Sequence, residues 1–188
     1  MINILFEELP DTVEVSGKFY KITTDFRDWI AFFDMMSDSE LDQKQKMLTA
    51  LSWFTEEIPD NLTEAYKTLT DFASCSGMKK TSENQGKNNS NSGVPTLSWL
   101  YDSAYVLGAF RQVYDIDLLR VDFMHWWEFS ALFEALPEDV PIKKRIAYRQ
   151  ISDIKDKERR KQILKIKKAV SFPHEPVSAQ KIGEIFSM

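Results

Sequence analysis

Catalysis and ligation need side chains that titrate, attack or coordinate, and this chain offers few of them. Its 188 residues include two histidines, His125 and His174, and one cysteine, Cys75. Those three fall short of the four ligands of a structural zinc site. A single cysteine also excludes an internal disulfide and fits a reducing compartment. No GxSxG, GxxxxGKS/T or GxGxxG occurs, so neither a nucleophile elbow nor a phosphate-cradling glycine loop is encoded. His125 stands beside Trp126 and Trp127, where packing with one ring nitrogen bonded to a neighbour is a better reading than a general base. No catalytic, cofactor-binding or metal-ligating residue is assigned, no cofactor is implied, and the expectation is that the protein is not an enzyme.

The other chemistry to weigh is electrostatic. Formal net charge is −5, with 24 Lys+Arg against 29 Asp+Glu. From Pro141 onward there are 13 basic and 5 acidic residues (+8), leaving 11 and 24 (−13) before it. The run Lys155-Asp156-Lys157-Glu158-Arg159-Arg160-Lys161, extended by Lys165, Lys167 and Lys168, could release counterions from phosphates. Two facts weigh against that. Asp153–Lys157 and Asp156–Arg160 are spaced for i,i+4 pairing, and Ile163, Ile166 and Val170 form an apolar stripe that would fix the helix to a body. Nucleic acid is therefore not the favoured partner. Attraction between the acidic body and the basic tail, within one chain or between subunits of a homo-oligomer, accounts for the split without a further partner.

The elements that must carry these residues can be read in order. Ile2–Phe6, Thr12–Val15 and Lys18–Ile22 read as short strands, and Ser16-Gly17 as a two-residue hairpin turn. Val13, Val15 and Phe19 alternate with Glu14 and Lys18, which predicts a half-buried ribbon. A first helix opens at Asp25 behind Thr24 or Asp25 as cap, with Phe26, Trp29, Ile30, Phe33 and Met36 at helical spacing. A second starts at Ser39 and runs to about Phe54, and a third follows Pro59-Asp60. The stretch from Ser76 to Val94 holds three of the six glycines and no aromatic residue. Such a composition buries too little apolar surface to offset ordering, so it reads as a polar flexible loop spanning on the order of 24 Å as a coil. Helical spacing resumes from Pro95 to Tyr114, then in Ile142–Ile151 and Asp156–Val170, with a terminal segment at Val177–Phe186.

Between these lies Asp122 to Leu136, DFMHWWEFSALFEAL, the most apolar stretch of the chain. It reads as a helix capped by Asp122 and stopped by Pro137. It is apolar on most of its circumference, so it is buried on most of it. Trp126 and Trp127 differ by 100° around the axis, so both cannot point squarely into one core; with Trp126 on the core side, Trp127 lies nearer the rim. With 43% apolar residues and no run near the ~20 needed to span a bilayer, the chain reads as a soluble, mainly α, bundle-like fold with an N-terminal β-hairpin. Residues 1–75 form its hairpin-and-helix part, 76–94 the loop, and 95–188 a helical part packed with 1–75 as one domain.

Four segments together resemble one family of phage proteins: TVEVSGKFYKITTDFRDWI, LYDSAYVLGAFRQVYDIDL, HWWEFSALFEALPED and IAYRQISDIKDKERRK. They are similar, in this order, to the gene-product-fifteen family of phages and prophages of Gram-positive bacteria, over most of the chain from the hairpin to about Lys168. The resemblance implies a gene of the tail module, in the position of tail assembly chaperones. Such proteins coat the long tape-measure protein in the host cytoplasm before the tail tube polymerises. They are expected to be absent from the mature virion. The tape-measure protein, and with it the major tail protein, are the partners this implies, with no membrane involved. Trp127 and Phe123 on the aromatic stretch, and Arg159 and Arg160 on the basic helix, are the candidate partner contacts. The competing readings are a structural component retained in the virion and a nucleic-acid-binding regulator using helix 155–168.

Overall fold

Seven α-helices and one β-hairpin make up the residues described by the computed structural model, which are 5–78, 96–151 and 157–172. The mainly α architecture follows the sequence pattern. The polar stretch from 79 onward, the pairs Asp153–Lys157 and Asp156–Arg160, His174 and the terminal segment 177–186 lie outside the described residues. Of the first expected strand, Leu5 and Phe6 lie in a turn.

Strands β1 (Thr12–Val15) and β2 (Lys18–Lys21) pair antiparallel across Ser16-Gly17. Both turn residues have positive φ, 51° and 79°, as a two-residue turn matched to strand twist requires. The register pairs Val13 with Tyr20 and Glu14 with Phe19. A two-residue turn joins residues three apart, so facing parity switches between the strands. Val13 and Val15 are therefore buried while Phe19, expected beside them, points to solvent and is 68% exposed.

Helix α1 (Phe26–Ser37) is capped by the Asp25 carboxylate, which accepts from the Arg27 amide at 2.9 Å. Helix α2 (Gln43–Ala50) starts later than expected. Asp42, not Ser39, opens it, because Gln45 stands three residues on and closes a reciprocal capping box. It ends at Ala50 and tightens into a 3₁₀ turn, Leu51–Trp53, instead of continuing to Phe54. Helices α3 (Leu62–Ala73) and α4 (Trp99–Tyr114) begin at Asn61 and Ser98 caps. Helix α4 stops where Asp115 turns left-handed. Pro141 then starts α6 (Pro141–Gln150), where its missing amide costs nothing, and α7 (Lys157–Val170) follows.

The aromatic stretch departs most from its sequence reading. Helix α5 covers only Trp126–Glu134, and its cap is His125, not Asp122. The chain just before it stays out of the helix, with His125 extended, because the Phe26 amide donates to the Met124 carbonyl and the Trp126 amide to the Thr24 carbonyl. That short antiparallel contact sets the starts of α1 and α5 side by side. Phe129 then occupies the centre of the core, stacked between Phe26 and Phe110 at centroid distances of 4.8 and 5.0 Å. A second aromatic run, Trp29–Phe72–Trp127, links α1, α3 and α5 at 4.8 and 5.1 Å.

Candidate functional site

Helices α1, α4, α5 and α6, with the end of α3, border a cleft of about 980 Å³. Its aromatic lining comes from three elements. Trp99, at the start of α4, lies 6.4, 5.9 and 5.7 Å from the rings of Trp126, Phe129 and Phe133. Phe33 of α1 reaches Trp126 at 5.5 Å. Ile146 and Ala147 of α6 face the same space, and Phe172, just past α7, closes one border.

The charged part of the lining is mostly acidic. Asp34, Glu134 and Glu138 stand against one ammonium, Lys143. Partial desolvation pushes the carboxyl of Asp34, a residue exposed overall, above its ordinary range. The Lys143 ammonium donates to the Glu134 backbone carbonyl at 3.0 Å and lies 5.4 Å from the Phe133 ring centroid. Ser130 contributes a hydroxyl of a different kind. Its Oγ is buried and, among the described residues, has no hydrogen-bond partner. An orphaned buried hydroxyl is unfavourable by itself and asks for a partner.

One wall is held by a buried ion pair. Asp102, in the first turn of α4, is fully buried. It takes Arg149 of α6 in a bidentate grip at 2.6 and 2.9 Å. Arg145 at 3.2 Å and the Ser98 amide at 3.2 Å complete its shell. Burial pushes the Asp102 carboxyl up, but the hydrogen bonds from Arg149, the Ser98 amide and Arg145 outweigh it, and its pKa lies below the usual value. Arg149 goes on to donate to the Thr96 and Val170 carbonyls at 2.9 and 2.7 Å. The Phe172 ring lies 3.9 Å from its guanidinium. A single side chain thus ties the entry to α4, the end of α7 and the Phe172 border of the cleft.

His125 packs as the sequence suggests. Its Nδ1 accepts from the Trp127 amide at 3.0 Å, so Nε2 carries the hydrogen and donates to the Pro10 carbonyl at 3.0 Å. Burial lowers its pKa. The ring is a helix cap and core member, edge-on to Trp127 and Phe72.

The four candidate contacts do not converge. Trp127, read as nearer the rim, is 3% exposed against 5% for Trp126. Both indoles donate to carbonyls at the end of α3, Trp126 to Ala73 at 2.9 Å and Trp127 to Phe72 at 3.0 Å. The 100° between them is spanned by one helix terminus that needs two donors, so Trp127 offers no surface to a partner. Phe123 is 58% exposed but does not line the cleft. Arg159 and Arg160 are exposed on α7 and do not line it either. Sequence reading missed Asp34, Ser130 and Glu134 as a group. They sit on two helices about a hundred residues apart, and only their helical spacing relative to the aromatics hinted at a shared side.

A family model described as Bacteriophage Gp15 protein matches residues 5–172. The chain belongs to this family. It is a phage protein, as the four sequence segments implied. No curated protein and no solved structure matches it. Among the described residues no helix is long and apolar enough to cross a membrane.

Proposed function

We propose that this Gp15-family protein is a non-catalytic tail assembly chaperone that shelters an apolar segment of the phage tape-measure protein in the cleft between α1, α4, α5 and α6. The observation that carries the reading is the cleft's lining, in which Trp99, Phe133 and Ile146 face an open space bordered by carboxylates. A tape-measure chain is long and helical and exposes apolar stripes until tube subunits enclose it. Reversible cover by a groove on a folded protein is a familiar way to hold such a helix. Family membership supplies the phage setting, and the resemblance of the four segments supplies the tail module.

The test is co-expression with the tape-measure protein of the same phage, followed by affinity capture. Wild-type protein should keep the tape measure in solution and co-purify with it. Ala147→Trp, which adds bulk at an exposed position of the cleft lining, should abolish capture without altering the melt. Purified virions should lack the protein. Capture that survives Ala147→Trp would move the client surface elsewhere, and a stoichiometric band in virions would favour a structural component.

A further inference from the structure

The lining of the cleft also restricts what can enter it. The one sheet among the described residues is the β1–β2 hairpin, and it does not border the cleft. Among the described residues no strand edge is available there for an extended peptide to join. An occupant must satisfy its own backbone hydrogen bonds, and a helix does so. The aromatic lining takes an apolar ridge. Flanking it are Asp34 on α1 and Glu134 and Glu138 at the end of α5 and just beyond, opposed by Lys143 alone. That ammonium is already engaged with a backbone carbonyl and the Phe133 ring. The residual field over the cleft is negative, so it attracts cations and repels carboxylates.

We infer that the cleft selects a cationic amphipathic helix, with Leu- or Ile-type residues seated on Trp99, Phe133 and Ile146 and Lys or Arg flanking that ridge. Those cationic side chains reach Asp34, Glu134 and Glu138 in the lining. This inference rests on the cleft being the client site and adds the charge that a client segment must carry. Within a long client it marks the segments where an apolar row is flanked by basic residues, and leaves acidic ones uncovered.

The experiment uses the full chain and three labelled helical peptides of about five turns. All three share one Leu ridge and differ only in flanking Lys, Gln or Glu. Fluorescence anisotropy at low salt should rank them Lys, Gln, Glu, with Lys tighter than Gln by roughly tenfold. Added salt should narrow the gap. In the Asp34→Asn, Glu134→Gln, Glu138→Gln triple variant, whose three positions are all exposed, the Lys peptide should fall to the Gln peptide's affinity while the Gln peptide is unchanged. Ala147→Trp should weaken all three. Equal binding of the Lys and Gln peptides, or a Lys preference that survives the triple variant, overturns charge selection and leaves the cleft reading standing. Failure of every peptide, or binding indifferent to Ala147→Trp, removes the cleft reading itself.

Discussion

Replacing Arg149 with Met tests the node that holds the cleft wall. The substitution keeps much of the volume and removes the charge. Asp102 would be left fully buried with Arg145 at 3.2 Å and the Ser98 amide as its remaining donors. Stranding one member of a buried pair costs about 3–5 kcal/mol. The surviving Arg145 contact argues for the lower half of that range. The carbonyls of Thr96 and Val170 lose a donor as well, each worth about 1 kcal/mol. A domain of this kind is stable by roughly 5–15 kcal/mol, so Arg149→Met should fold at low temperature but unfold at a much lower urea midpoint, read from tryptophan fluorescence. Asp102→Asn should also destabilise, because it leaves a buried guanidinium without its counter-charge. The double variant is the decisive arm. Removing both charges relieves the desolvation that each single variant exposes, so it should lose less than the sum of the two, by about 2–3 kcal/mol.

The same variants separate stability from positioning. Val170 and Phe172 are held by the Arg149 side chain itself, not by Asp102. Trypsin should therefore cut sooner within α7, at Lys161, Lys165 or Lys168, in both Arg149→Met and the double variant. This should occur under conditions where the double variant remains folded. Additive single-variant losses, or an α7 as resistant in the double variant as in wild type, would refute the view that this pair joins the helices. Acidification offers an independent check on the carboxyl. Its folded pKa is depressed, so its contribution is complete above the ordinary carboxylate range and is lost as pH falls through the folded value. Asp102→Asn should flatten that acid limb.

Three further outcomes follow from the core. His125 has a folded pKa below its unfolded one, so as pH falls through about 6.5 the unfolded chain takes the proton first and stability declines. Melts between pH 7.5 and 5.5 should show that loss, and His125→Asn, which can still cap α5, should remove it. Gly77→Ala would place a Cβ 2.6 Å from Trp127 Cη2, so it should destabilise by about 1–3 kcal/mol, and an unchanged urea midpoint would show that the ring has room to move. Trp126→Ala and Trp127→Ala should each cost about 3–5 kcal/mol, and a Trp127→Ala melt like wild type would restore the rim position expected from the sequence.

Why the two tryptophans defeated the sequence reading is instructive. Helical periodicity assigns angles around one axis, and by that measure Trp126 and Trp127 cannot share a target. What they share is the end of α3, where neighbouring carbonyls at Phe72 and Ala73 each take one indole N–H. Local signals were legible wherever local chemistry decided the outcome. The Ser16-Gly17 turn and the Asp25 cap depend on residues within a few positions of one another, whereas α5 ends at Glu134, short of the stop expected at Pro137. The late start of α5 does not depend on such neighbours, because Thr24 and Met124 meet across a hundred residues of chain. Likewise Arg149 lies in Ile142–Ile151, where helical spacing alone gave no reason to bury a charge, and only Asp102, 47 residues earlier, turns it inward. A buried charge pair is weak evidence for stability, since matched apolar side chains would hold the helices at least as well. What the pair adds is direction. Bidentate geometry favours one register of α6 against α4, and that register brings Ile146 and Ala147 to the cleft that Trp99 also lines.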